Sequence, residues 1–385
     1  MQSTHYDLVV VGAGALGSFH AYHACKKGLR VLLLEKDSQP QEATVRNFGQ
    51  VVPSGMSRGK WQQYGRRSLE IYQSLQNKFD ITVRRHGSVY IASDETELTL
   101  INELKDINQS ENYTSQLLNQ QDCLENYPGL KKDYCKGGIF FPQEITVEPG
   151  KMIHRLIAYM REQLSLTYQP DTLVGFCDYV NGKCITEDHL GRAYTSNKVI
   201  ICNGRDFRNL YPQVFFESDI EVSKLQMMKT VPQHGYELKG SVLTGLSIRR
   251  YESFRECPSW QTLKAGEIDA RCKKWGIHIL FKQATDGSII IGDSHEYANA
   301  KEQDKLGFEI NQEINNIIIE EAKRIFDLPS WQMAAYWNGY YGQSKSHDVF
   351  KKEVAGNIHV VTAIGGKGMT GSAGLAEETI AELYG

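Results

Sequence analysis

The chain has no surplus of positive charge. Its 43 Lys and Arg stand against 46 Asp and Glu over 385 residues, a formal net charge of −3. It therefore lacks the basic field that a dedicated nucleic-acid or anionic-membrane binder needs. Nowhere do 18 apolar residues run together, which excludes a spanning helix. The apolar stretch from Leu8 to Phe19 has no basic leader, follows Asp7 and contains three glycines, so no export signal is expected. Proline is scarce, at 10 residues, and 41% hydrophobic with 23% charged residues excludes a disordered or fibrous chain. The eight cysteines form no CxxC pair and no zinc-like spacing with histidine. Neither a metal site nor a disulfide framework is expected, and scattered cysteines of this kind predict a reducing, cytoplasmic setting.

What is present is length and glycine. The chain exceeds the size of one hydrophobic core, so two structural units are expected. Its 34 glycines gather near both ends. Residues 6–11, YDLVVV, read as a buried parallel strand, followed by GAGALG, a helical pattern through Ala24, and a second strand, RVLLLE, closing on Glu35. Gly12, Gly14 and Gly17 thus form GxGxxG between a strand and a helix, with an acid 18 residues after Gly17. A dinucleotide requires this arrangement: Gly12 for the tight turn, Gly14 for approach to the pyrophosphate, Gly17 for helix–strand packing, and Glu35 for the ribose hydroxyls.

Farther on, helices are predicted over 59–79, in DETELTLINELKDI, and over 149–164. The centre, 222–295, reads as antiparallel sheet, with GIHILFKQ and SIIIGDSH joined across Thr285-Asp286-Gly287 as a hairpin. A long helix is expected from Lys301 to Phe326, stopped by Pro329. The tail returns to the opening style with IHVVTAI, GGKGMTGSAG and LAEETIAELYG. The pattern implies an α/β nucleotide-binding unit assembled from 1–80, 145–215 and 330–385, beside a second α+β unit, 81–144 and 216–329, with a mainly antiparallel sheet.

GxGxxG serves FAD and NAD alike. VVVGAGALGS, LLLEK, VRNFGQV, VIICNG and IGGKGMTGSAGLAEE together resemble the D-amino acid oxidase, glycine oxidase and sarcosine oxidase family of FAD enzymes. VRNFGQVVPSG and GDSHEY look most like a subgroup linked to aminophosphonate breakdown. The resemblance implies a Rossmann-like FAD domain of the glutathione-reductase type. It places Gly12, Gly14, Ala15 and Leu16 at the pyrophosphate, Glu35 and Lys36 at the adenosine end, and Val174 at the adenine. Arg46, Asn47, Phe48, Gly49 and Gln50 fall beside the flavin, with Gly49 allowing close approach to the ring, and Asn203, Gly204 and Gly339 lie near the cofactor. Gly366, Lys367, Gly368, Met369 and Thr370 would bring a helix start near Thr370 to the flavin, where its positive end favours reduction. Residues 331–348 contain no Cys, so the FAD is expected to be noncovalent. Ile290 stands about where sarcosine oxidases place a lysine for reaction with oxygen, so either oxygen or another acceptor takes the electrons.

The resemblance also implies oxidation of a small amine, with positioning and dryness dominating the chemistry. A standard carboxylate clamp is missing: YWNGYYG at 336–342 has no Arg, and the family's Lys position aligns with Thr370. The candidates for an anionic substrate are Arg250, Tyr251, His278, Lys282, His295, Lys345, His347 and Lys367, with Gln50 at the ring. Strand period two pairs His278 with Lys282 and Asp293 with His295. His295, Tyr340 and Lys367 are the catalytic candidates; Tyr336, Trp337 and Tyr341 either wall the pocket or fill the core. The expected substrate is an aminophosphonate such as 2-aminoethylphosphonate or its N-methyl form. The alternatives are a glycine, sarcosine or D-amino acid oxidase-like enzyme, an NAD-dependent dehydrogenase, and a noncatalytic FAD-binding partner protein.

Overall fold

The computed structural model describes residues 5–263 and 268–385. The strand His5–Val11 is a β-branched run with Leu8, Val9 and Val10 all buried, both faces being covered, and it pairs in parallel with Val31–Leu34 on one side and Ala193–Ile201 on the other. Ile358–Thr362 extends this sheet in parallel beyond Ala193–Ile201, and Thr167–Gln169 extends it beyond Val31–Leu34. Segments far apart in sequence therefore build one sheet. Helix Ala15–Lys26 covers it, and helices Lys60–Gln76 and Gly368–Tyr384 pack together above. The join is polar as well as apolar: the Gly374 N–H donates to Ser68 Oγ at 2.9 Å, and His23 Nε2 lies 3.0 Å from the Ala373 carbonyl.

The second half is a nine-stranded sheet, antiparallel except where Ser241–Leu243 runs parallel to Ser88–Ala92. The hairpin Leu280–Gln283 and Ile289–Gly292 forms across the expected turn. Met333–Ser344 pairs along its length with Ile220–Thr230, from Ile220 opposite Ser344 to Thr230 opposite Met333. This strand thus belongs to the antiparallel sheet and not to the cofactor half, where a boundary at 330 would put it; the next strand of the eight-stranded sheet after it, Phe350–Ala355, runs antiparallel to Ile358–Thr362. Among the described residues no helix is long and apolar enough to cross a membrane.

The long helix expected from Lys301 to Phe326 is broken. A 3-10 turn, Ala300–Leu306, is followed by an irregular stretch and then helix Gln312–Ile325. The apolar spacing suits a continuous helix, but the carbonyls that such a helix would use are taken. Buried Lys224 donates to the carbonyls of Leu306 at 2.8 Å and Glu309 at 3.0 Å, and Asn338 donates to that of Phe308 at 2.8 Å. Asn311 restarts the helix by accepting from the Glu313 N–H.

Candidate active site

One continuous cleft of about 1130 Å³ runs between the two sheets. Its first end is built on the glycine turn. Gly12 has φ +96°, and a Cβ there would meet the Cys202 carbonyl at 2.3 Å; a Cβ on Gly17 would lie 1.8 Å from the Gly12 carbonyl oxygen. The turn therefore closes only with glycine at both positions. Gly12, Gly14, Ala15 and Leu16 line the cleft, whereas Gly17 is spent on packing helix to turn. The buried Glu35 accepts the Ala13 N–H at 2.8 Å and the Asp37 N–H at 3.2 Å; burial raises its pKa against those hydrogen bonds. Lys36 and Val174 line the same end. Thr44 has no signal in the sequence: its Oγ1 accepts the Ala15 N–H at 2.9 Å and caps the helix across a loop.

Farther along, Arg46, Asn47, Phe48, Gln50, Asn203, Gly204 and Gly339 line the cleft. Gly49 does not. Its φ is +73°, and the space its missing Cβ leaves is filled by the Val147 carbonyl at 2.2 Å and the Pro149 ring at 2.9 Å. The glycine is required by protein packing, a correction to the expectation that it makes room for the ring. The loop Gly365–Lys367 is a 3-10 turn leading directly into a helix that starts at Gly368, slightly before the expected Thr370. Gly366, Lys367, Gly368, Met369 and Thr370 line the cleft, so the positive end of this helix faces it. Thr370 Oγ1 accepts the Val52 N–H at 3.2 Å and anchors that end.

The far end of the cleft is a cluster of rings and charges. His278 Nε2 lies 2.8 Å from Asp293 Oδ1, and its Nδ1 lies 3.2 Å from Ser247 Oγ. Because a carboxylate only accepts, His278 is protonated on Nε2 and both its nitrogens are engaged. His295 stacks on His278 with ring centroids 5.4 Å apart, and its Nδ1 lies 3.1 Å from the Gly276 carbonyl. A carbonyl also only accepts, so Nδ1 of His295 carries the proton and Nε2 keeps its lone pair. Burial lowers the His295 pKa to about 3, leaving the ring neutral at ordinary pH. Burial disfavours the charge of Asp293, but the His295 and His278 rings and the Arg250 guanidinium outweigh it and hold its carboxyl below the usual range. These three side chains have ligand atoms within 4.8 Å of one another, a grouping metals use, although the chain's own hydrogen bonds already occupy His278.

The cations differ in a way that decides their roles. Arg250 donates to the Tyr297 hydroxyl at 3.1 Å and has no carboxylate within ion-pair distance among the described residues. Lys367 is already paired, in direct contact with Glu252, 3.9 Å from Asp348 and over the Trp61 ring. Lys345 pairs with Glu221 at 3.4 Å. Lys282, expected beside His278, is fully buried outside the cleft and donates to the Val147 carbonyl at 3.1 Å and Glu148 at 2.6 Å. Tyr251 lines the cleft edge-on to His278, with ring centroids 5.8 Å apart.

Tyr340, the tyrosine expected in the pocket, lines the cleft, but its hydroxyl donates to the Gly307 carbonyl and the Arg205 guanidinium lies 4.5 Å from its ring centroid, in the core of the cofactor half. Tyr341 points the other way, as strand alternation requires, and its hydroxyl lies 3.4 Å from the Cβ position of Gly366. Tyr341 thus faces the Gly365–Lys367 turn across the cleft. Tyr336 and Trp337 do not line the cleft.

Two polar atoms test what the cleft is built to hold. Gln50 Nε2 and Asn203 Oδ1 are buried on its wall without a hydrogen-bond partner among the described residues. Orphans of this kind call for a ligand with both donors and acceptors, as FAD has. A family model described as FAD dependent oxidoreductase, DAO, matches residues 7–382. The chain belongs to the DAO family. Its cofactor is accordingly FAD, and it is an FAD-dependent oxidoreductase of the amine oxidase-like kind. An opine oxidase subunit of Rhizobium meliloti is 23% identical over 347 residues, 87% of this chain and 81% of that one. Monomeric sarcosine oxidase of Bacillus sp. strain B-0618 is 23% identical over 207 residues, 52% of each. Among solved structures of the DAO fold, glycine oxidase from Geobacillus kaustophilus superposes with a TM-score of 0.77 at 16% identity, covering 98% of this chain and 94% of that one.

Proposed function

We propose that the protein oxidises a small amine bearing a phosphonate, such as 2-aminoethylphosphonate or its N-methyl derivative, at the carbon next to nitrogen. The observation that carries this reading is Arg250, a cleft-lining guanidinium with no carboxylate partner among the described residues, ringed by Tyr251, Tyr297 and Tyr341. The planar fork matches two oxygens of a phosphonate or a carboxylate alike, and the surrounding hydroxyls offer donors for the third oxygen that only the phosphonate has. His295 presents a neutral ring nitrogen to the cleft, able to accept a hydrogen bond from the substrate N–H and orient it, while the ammonium loses its proton to solvent before the hydride leaves. Tyr251 and His278 wall the pocket and exclude water. Bound FAD supplies the two-electron acceptor for the hydride at its N5. The imine product hydrolyses to an aldehyde with release of ammonia or methylamine.

We further propose that Gln50, Asn203 and Thr370 belong to the set that holds FAD without a covalent bond; denaturation should then release all the yellow colour into a filtrate. The likeness to sarcosine and glycine oxidases supports a second reading, in which a carboxylate such as glycine or sarcosine takes the place of the phosphonate. Anaerobic bleaching of the flavin separates them, with 2-aminoethylphosphonate, its N-methyl form, glycine, sarcosine and D-alanine added in turn. Reduction by the phosphonates at lower concentration than by the carboxylates is expected. Reduction by carboxylates alone overturns the phosphonate reading, and reduction by none of them, with the protein still yellow, overturns amine oxidation.

A further inference from the structure

We propose that Glu144 is a positioning residue for the substrate pocket: its carboxyl clamps the Pro53–Gly55 turn and, through Tyr90, sets Tyr251 against His278. Glu144 is fully buried and does not line the cleft. Its Oε1 accepts the Ser54 N–H at 2.7 Å and the Tyr113 hydroxyl at 2.8 Å; its Oε2 accepts the Ser54 hydroxyl at 3.0 Å and the Ser88 hydroxyl. Among the described residues four donors and no cation meet this carboxyl, so hydrogen bonding and not charge pairing is what it does there.

What it holds is the segment that faces the cofactor and substrate. Ile145–Thr146, immediately after Glu144, pairs with Gln50–Val51, and the side chain then grips Ser54 three residues farther on. Gln50, Val52, Gly55 and Met56 line the cleft. Ser54 Oγ lies 3.2 Å from the Tyr90 hydroxyl. The Tyr90 ring stands edge-on to Tyr251 with centroids 6.0 Å apart, and Tyr251 stands edge-on to His278. Between them Gly55 leaves no slack, since a Cβ there would lie 2.9 Å from Tyr251 and 3.1 Å from the Tyr90 hydroxyl. A shift at Ser54 is therefore passed to the pocket wall.

The same network makes the clamp sensitive to pH. Burial pushes the Glu144 carboxyl up to about 7, against the pull of its donors. The titratable groups facing it are the Tyr90 and Tyr113 phenols, with Tyr251 beyond Tyr90 and the Arg66 guanidinium 4.6 Å from the Tyr113 ring centroid. The folded protein holds this proton more tightly than the unfolded chain. Its contribution to stability is full below the ordinary glutamate pKa and is lost as pH rises through about 7.

The test rests on the amine reading only for its kinetic arm. In Glu144→Gln two of the four donors face an N–H in place of an oxygen, and kcat/KM for whichever amine reduces the wild-type flavin should fall about tenfold, mainly through KM, with FAD content unchanged. The visible circular dichroism of the bound flavin should change, and the Tm of the FAD-free variant relative to wild type should rise from about pH 4.5 to 7, the difference cancelling the other titrating groups. Should Glu144→Gln fail to fold, Tyr113→Phe, remote from the cleft, removes one donor and should make the Tm of the FAD-free variant, relative to wild type, fall as pH rises through about 7, because the Glu144 titration moves to higher pH, with about a threefold loss of kcat/KM. Wild-type KM, flavin dichroism and pH dependence in the soluble variant overturn the proposal. If no amine reduces the wild-type flavin, the functional reading fails while the dichroism and the Tm profile still decide the role of Glu144.

Discussion

The two ends of the cleft are built by opposite strategies. The cofactor end rests on backbone: a turn that only glycine can close, two helix N-termini and a carboxylate accepting N–H groups. The pocket end rests on side chains from several antiparallel strands and loops, whose roles depend on which partner each one has found. Backbone sites depend on spacing along the chain and tolerate almost no change in shape. Side-chain sites depend on pairing across the fold, and a single ion pair decides whether a cation is available to a ligand.

Ways to break this contrast follow in order of size. Gly17→Val should abolish FAD binding outright, since its first side-chain carbon would overlap the Gly12 carbonyl; the purified protein should be colourless. At the other end, Arg250→Met should leave the protein yellow but lower kcat/KM by about a hundredfold, the scale of losing a charge-assisted anion anchor. Lys367→Met should cost less than about threefold in kcat/KM, because Glu252 already takes its charge and exposed pairs contribute little. Equal losses at positions 250 and 367 would erase the distinction between free and paired cations. Finer still is the pH dependence. His295 stays neutral down to about pH 3, so the acid limb of kcat/KM should persist unshifted in His295→Gln, which lowers the rate without removing a titration.

The cofactor half has its own acid sensitivity. His20 and His23 are buried on the first helix, and burial lowers both to about 4. The unfolded chain binds their protons first, so stability is full above about pH 6.5 and falls as pH drops toward 4. In the FAD-free protein, the Tm of wild type relative to His23→Gln should fall as pH drops from about 6.5 to 4, which isolates the histidine's share.

The same contrast explains what could be read from the sequence. GxGxxG followed by Glu35 is a local pattern with one geometric solution, and the hairpin across Thr285-Asp286-Gly287 is another. Gly49 resembles a cofactor contact because both uses demand a missing Cβ; only the fold shows the Val147 carbonyl filling the gap. Thr44 caps a helix 29 residues away, and no local signal marks such a partner. Tyr340 and Tyr341 are adjacent, so the choice between them turns on which sheet their strand joins. The break near Gly307 is hidden because Lys224, which takes its carbonyls, lies more than 80 positions earlier.

The strand Ile358–Thr362 and the helix Gly368–Tyr384 complete a sheet whose first strand is His5–Val11. On the ribosome, at roughly 5–20 residues per second, that first strand waits tens of seconds for the last strands of its sheet. Until then Val199–Ile201 presents an uncovered edge, and the second positively poled helix end does not yet exist. Cofactor loading is therefore a late event in biosynthesis, and nascent chains halted before residue 358 should depend on chaperones to stay unaggregated.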